Sequence, residues 1–162
     1  MRKNLDTLFM AEAIKEAEKA GKKGDIPVGA VIVKDNRVIS RGHNSKELNN
    51  DPCAHAEIIA IKKASKALLS WRLKHTTLYV TLEPCIMCMG AIMQARVKRL
   101  VFACHDPKAG ACGSLYDMSR DLRLNHRLIV DFGVSGEKAS ALLKEFFLTL
   151  RGRGGVKRQA PV

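Results

Sequence analysis

Strand-like segments recur along this chain with helix-like segments between them, and that alternation limits the fold more than any single residue does. "PVGAVIV", residues 27–33, is nearly all apolar and reads as a strand covered on both faces. The turn residues Asp35 and Asn36 separate it from "RVISRGHN", so the two form a hairpin. A helix is predicted over 55–69, with Ile58, Ile61, Ala64 and Leu68 on one stripe, and then a strand in "TTLYVTL". "PCIMCMGAIMQA" opens with a proline where a helix start tolerates one, and "RLVFAC" is the next strand. The glycine-containing loop "HDPKAGACGS" follows, then a fifth strand in "LIVDFGVS" and a last helix over 137–150. A first helix spans 5–20, with Leu5, Leu8, Phe9, Ala13, Ile14 and Ala17 on its apolar side and Gly21 as its stop. Strands joined through helices lie parallel, and a hairpin at one end makes the sheet mixed. The expected fold is α/β, a five-stranded mixed sheet between two helix layers.

At 162 residues and 46% hydrophobic, the chain suits one domain, expected over 1–150. Residues 151–162, "RGRGGVKRQAPV", carry four basic residues and no acid, and are expected to form a flexible basic tail. No run approaches the roughly 20 apolar residues of a membrane span, and the first residues mix acids with bases, so a cytoplasmic protein is expected. Lysine and arginine number 28 against 16 acids, a formal charge of +12, which favours a polyanionic partner with nucleic acid first. The basic residues do not line one face of an amphipathic helix, which argues against a membrane-surface role. Five cysteines, an odd and uneven set, point to reduced thiols, some of them metal ligands.

Cys85 and Cys88 stand three apart at a predicted helix start, where the helix dipole favours the thiolates that bind metal. Alone, Cys-x-x-Cys is equally a redox pair or half of a structural zinc site. His55 adds a third ligand, and two thiolates with one imidazole leave the open fourth position of a catalytic zinc. No second Cys-x-x-Cys closes a structural tetrahedron; Cys53 lies too near His55 to serve without strain, and Cys104 and Cys112 are expected to be packed thiols. Glu57 alone would be an ordinary helix-start carboxylate. Beside a metal it can carry a proton, and two residues along a helix from His55 it would approach from another side.

His55-Ala56-Glu57 followed about thirty positions later by Pro84-Cys85-Ile86-Met87-Cys88 is the motif pair of zinc-dependent deaminases. The chain more closely resembles the bacterial tRNA-specific adenosine deaminases, through "PVGAVIV", "RGHN", "DPCAHAEI", "TLYVTLEPCIMCMGAIMQARVKRLVFAC" and "DPKAGACGSL". The resemblance implies a three-layer cytidine deaminase-like fold and hydrolysis of adenosine to inosine at the wobble position of a tRNA anticodon. It implies one Zn2+ per subunit on His55, Cys85 and Cys88, with Glu57 as proton shuttle. It places Asn44 on the flipped nucleotide, Pro27, Val28, Ala56 and Pro84 at the pocket wall, and Asp106 and Lys108 on a loop that meets the RNA. Phe147, Arg151 and Arg153 would face the anticodon stem-loop, and the protein would be a homodimer.

Other roles stay open for several of these residues. Asn44 can simply end a strand, Val28 and Ala56 can be core, Asp106 can hold a turn before Pro107, and Phe146 and Phe147 cannot both be buried in one direction. The sequence departs from the resemblance at Cys53, where threonine is common, and carries Cys104 just before the substrate loop. The main alternative is a zinc deaminase of a free base or nucleoside, of guanine, cytosine or deoxycytidylate type, which shares the motifs but has no need of the positive charge. A non-catalytic RNA-binding subunit has no need of Glu57.

Overall fold

The computed structural model describes residues 2–153. In chain order it holds α1 (Arg2–Lys22), β1 (Gly29–Lys34), β2 (Arg37–His43), α2 (Lys46–Asn49), α3 (Ala56–Ala67), β3 (Thr77–Leu82), α4 (Ile86–Gln94), β4 (Arg99–Cys104), a 3-10 turn (Met118–Arg120), β5 (Ile129–Phe132) and α5 (Gly136–Arg153). The β1–β2 hairpin closes through Asp35 and Asn36, whose φ of 49° and 57° is the left-handed pair that matches strand twist.

The strands form one sheet in the order β2-β1-β3-β4-β5. β1 runs antiparallel to both β2 and β3, while β3, β4 and β5 are mutually parallel. Four strands therefore point one way and only β1 is reversed. Helices α3 and α4, which follow β2 and β3, accordingly begin at the same end of the sheet. The segments after β2 and β4, and the residues leading into β1, lie at that end too, where open α/β sheets place their sites.

Each face of the sheet is sealed by helices. α3 and α4 cover one face, where Ala56, Ala60, Met89 and Ile92 meet Ile32, Val80 and Phe102. α1 and α5 cover the other, where Met10, Ala13 and Ala139 meet Val31, Tyr79 and Val101. Within that second layer Arg99 donates to both oxygens of Asp6 at 2.7 and 2.8 Å, and Tyr79 Oη donates to Asp6 at 2.7 Å. The buried charge is thus paired and its hydrogen bonds are shared out.

Four details depart from expectation. α1 starts at Arg2 and runs through Gly21, the expected stop, to Lys22. α2 is a single turn in the polar segment after β2, where no helix is predicted. β5 is shorter than "LIVDFGVS", since only four residues pair with β4 and Ile129 and Phe132 are exposed on the sheet edge. α5 runs to Arg153 and so takes in the first three residues of the expected tail; the rest of the tail lies outside the described residues. Arg151 sits in the last turn, where a cation complements the helix dipole. Among the described residues no helix is long and apolar enough to cross a membrane.

Candidate active site

His55 and Cys85 are the N-cap residues of α3 and α4, with extended backbones at ψ 150° and 175°, and neither side chain caps its own helix. Both are therefore free to turn into the space between the two helix starts. His55 Nδ1 lies 3.8 Å from Cys85 Sγ and 3.5 Å from Cys88 Sγ. A tetrahedral zinc with ordinary Zn–N and Zn–S bonds sets this N···S edge at about 3.6 Å, so the three donors fit that ion. They form the one such cluster among the described residues. Cys53 is exposed and outside it, Cys104 Sγ donates to the carbonyl of Thr81, and Cys112 is buried in the core.

Local sequence explains why α3 starts where it does. Gly42 in β2 lets the helix sit against the strand: a Cβ there would stand 2.3 Å from the carbonyl oxygen of Ala56. Asn44 Oδ1 accepts from the N–H of Ala56 at 3.0 Å and caps the helix from outside. Ser40 Oγ donates to the carbonyl of Ala60 at 2.8 Å.

Glu57 is buried, and its Oε2 has no hydrogen-bond partner. The carboxylate separates from His55 because the histidine sits at the N-cap, outside the helix, and not because both project from a regular turn. Burial pushes its carboxyl up to about 7, against the pull of its own backbone N–H and of His55. A hydrogen bond from the Cys88 thiol, helped by His55, holds the Cys85 thiol down to about 3, so Cys85 is the ready thiolate. Cys88, which donates to Cys85 and is deeply buried, is pushed up. The hydrogen bond with Cys85 raises His55.

His55, Glu57 and Cys85 line a cavity of about 190 Å³ with Val28, Asn44 and Asp106. Of the other predicted site residues, Ala56 is fully buried in the core and Pro84 is buried with its carbonyl accepting from Ala111. Pro27 lines a different groove of about 440 Å³ between α1 and α5, together with Phe146. Asp106 Oδ1 accepts from the N–H groups of Lys108 and Ala109, which is the turn role left open for it, and Lys108 is exposed at the loop tip. Phe146 is half-buried, while Phe147 and Arg151 are exposed; Arg153 is the final residue of α5.

Five lining residues escaped the sequence reading: Ile26, Lys46, Leu82, Glu83 and Ala109. Glu83 stands immediately before Pro84-Cys85, and that adjacency was the available signal. Its side chain is fully enclosed and accepts from backbone N–H groups of the loop after β4. Burial alone would raise its carboxyl, but the hydrogen bonds from Ser114, Cys112 and Asp106 outweigh this and hold it below the usual carboxylate range.

Comparison with known proteins gives the site its context. A family model for MafB19-like deaminases matches residues 4–151. A tRNA-specific adenosine deaminase of Bacillus subtilis is 46% identical over 154 residues, which span 95% of this chain and 96% of that protein. The chain belongs to the tRNA-specific adenosine deaminases. The Haemophilus influenzae family member is 47% identical over 148 residues, covering 91% of this deaminase and 86% of its relative. A solved structure from work on A-to-I editing by tRNA:A34 deaminases at the wobble position superposes with a TM-score of 0.82 at 42% identity, over 85% of this chain and 99% of that one.

Proposed function

We propose that this deaminase hydrolyses adenosine to inosine at the wobble position of a tRNA anticodon. The observation that carries the proposal is the buried Glu57 Oε2, without a partner, in a cavity it shares with His55 and Cys85. A buried carboxylate with an unused oxygen is a costly arrangement unless a ligand uses it. Zinc held by His55, Cys85 and Cys88, one ion per subunit, supplies a water of lowered pKa when bound. Glu57 takes a proton from the attacking water, gives it to the ring nitrogen beside carbon 6, and serves again as ammonia leaves. With its carboxyl near neutrality, it passes protons both ways at little cost. Water enters and ammonia departs, so the atoms balance.

Asn44 spends its oxygen on Ala56, which leaves its amide nitrogen to donate to ribose or base. Val28 walls the cavity beside it. Lys108, Phe147, Arg151 and Arg153 supply charge and an aromatic face for the stem-loop, in keeping with the net +12. The relatives' activity on tRNA supports this reading over a free-base deaminase. We place the catalytic domain at 1–150 with the basic segment 151–162 as its C-terminal extension, the start of which continues α5, and expect a cytoplasmic homodimer.

The test is inosine formation by zinc-loaded protein offered an anticodon stem-loop with a wobble adenosine, beside free adenosine, cytidine and guanine. Inosine in the stem-loop alone supports the proposal. Turnover of a free base or nucleoside with the stem-loop untouched overturns the substrate assignment.

A further inference from the structure

Two carboxylates line the cavity from the metal-binding segments, and they differ in one respect. Glu57 has an oxygen without a partner, whereas every acceptor position of Glu83 is engaged. Glu83 follows β3, and its N–H donates to the carbonyl of Cys104 at 2.9 Å. Its Oε1 accepts from the N–H groups of Cys112 at 2.9 Å and Ser114 at 3.0 Å. Its Oε2 accepts from the N–H of Asp106 at 3.0 Å and from Ser114 Oγ, and faces His105 Nδ1 at 3.1 Å.

All of these donors belong to the loop that follows β4. The loop packs onto the carboxylate so closely that a Cβ on Gly110 would stand 2.4 Å from Glu83 Cδ. The same loop contributes Asp106 and Ala109 to the cavity and carries Lys108 at its tip. It also joins the metal-binding segment directly, since the N–H of Ala111 donates to Pro84 and Gly110 bridges to Cys85.

We infer that Glu83 is a positioning residue for the deamination: its carboxylate is the template on which the loop 105–114 takes the shape that receives the nucleotide. The inference rests on the deaminase reading above. Glu83 acts through Asp106 and Ala109 and does not carry the proton, because both its oxygens are occupied. Charge alone does not do this work. A carboxylate offers acceptors on both oxygens, and the loop presents N–H groups to both; the isosteric amide of glutamine would turn an NH2 toward donors and leave them buried and unpaired.

The experiment compares wild type, Glu83→Gln and the milder Ser114→Ala, which removes one donor from the loop side. It reads zinc content, amide exchange across 105–114, and KM and kcat for the stem-loop over a pH range. Glu83→Gln is expected to speed amide exchange in the loop and raise KM about tenfold or more, the scale of one orphaned buried donor. Zinc content and the shape of the kcat–pH profile should stay as in wild type, with kcat changed less than KM. Ser114→Ala should move KM the same way by less, which keeps the inference testable if Glu83→Gln fails to fold.

A Glu83→Gln protein that melts lower but keeps wild-type KM overturns the inference and leaves Glu83 a structural group. A fall in kcat that tracks lost zinc, or a displaced kcat–pH profile, overturns it too. Failure of wild type to form inosine in the stem-loop refutes the substrate reading instead. The same KM comparison then applies to whichever base it does turn over, and loop exchange is read without any substrate.

Discussion

Gly42→Ala should disable the metal site from the far side of a helix. The added Cβ would lie 2.3 Å from the carbonyl oxygen of Ala56 and 2.8 Å from the nitrogen of Ala60, where real Cβ contacts stay beyond 3.0 Å. Both atoms are backbone, so no side chain can swing aside. The second turn of α3 is held by Ser40 Oγ on the carbonyl of Ala60, and the first turn must move by at least about 0.7 Å. That first turn carries His55 at its cap and Glu57 one residue inside. Overpacking of this kind costs about 1–3 kcal/mol in stability. The shift also opens His55 Nδ1 away from Cys85 and Cys88, now at 3.8 and 3.5 Å, and zinc affinity should fall by about 10–100-fold, as when a supporting residue of a metal site is lost. Competition with a chromogenic chelator measures the affinity, and thermal melts of the zinc-free protein measure the stability separately. Gly42→Ala protein with wild-type zinc affinity and wild-type melting would refute the claim that β2 sets the position of the His55 cap.

Other perturbations test other parts. Glu57→Gln should keep zinc and RNA binding while lowering single-turnover inosine formation by about 10²–10⁴-fold, the usual contribution of a positioned acid–base group. Asp6→Ala strands the buried Arg99 guanidinium, which keeps Tyr79 Oη and the half-exposed carboxylate of Asp131, and should cost about 3–5 kcal/mol in urea unfolding. Burial alone would raise the Glu16 carboxyl, but Lys19 at 2.6 Å and His43 at 3.0 Å hold it below its usual 4.5. A lowered carboxyl stabilises the fold above the unfolded value and loses that contribution as pH drops through the folded one. Glu16→Gln should therefore lose less stability than wild type between about pH 5 and pH 3, measured by denaturant midpoints.

What could be read from the sequence followed from local rules. Asp35-Asn36 accepts the left-handed pair of a tight hairpin, and Cys85 and Cys88 meet His55 because two helix starts bring them to one point. The missing parts depend on tertiary partners without a sequence pattern. Glu83 holds backbone N–H groups, which every residue but proline has, so the loop it organises gives no sign of its anchor. Pro27 adjoins Val28 in sequence, yet successive residues at a strand entry face opposite ways, and Pro27 falls in the groove beside α5. α5 extends past Leu150 because a single Gly152 costs a helix only about 1 kcal/mol and Arg151 complements the dipole of its last turn.

The reversal of β1 alone has a chemical consequence. With β2 and β3 parallel, α3 and α4 start side by side, and two helix N-termini converge on the three metal donors. Their N–H dipoles make a positive field there, which favours the thiolate at Cys85. The same field partly offsets the burial of Glu57, yet burial prevails and its carboxyl stays near 7. Sheet direction thus sets the balance that separates a ligand from a proton carrier within three residues of chain. Were β1 antiparallel to only one of its two neighbours, β2 would run against β3 and the two helix starts would lie at opposite ends of the sheet, with no shared point at which a histidine cap and a cysteine cap could meet.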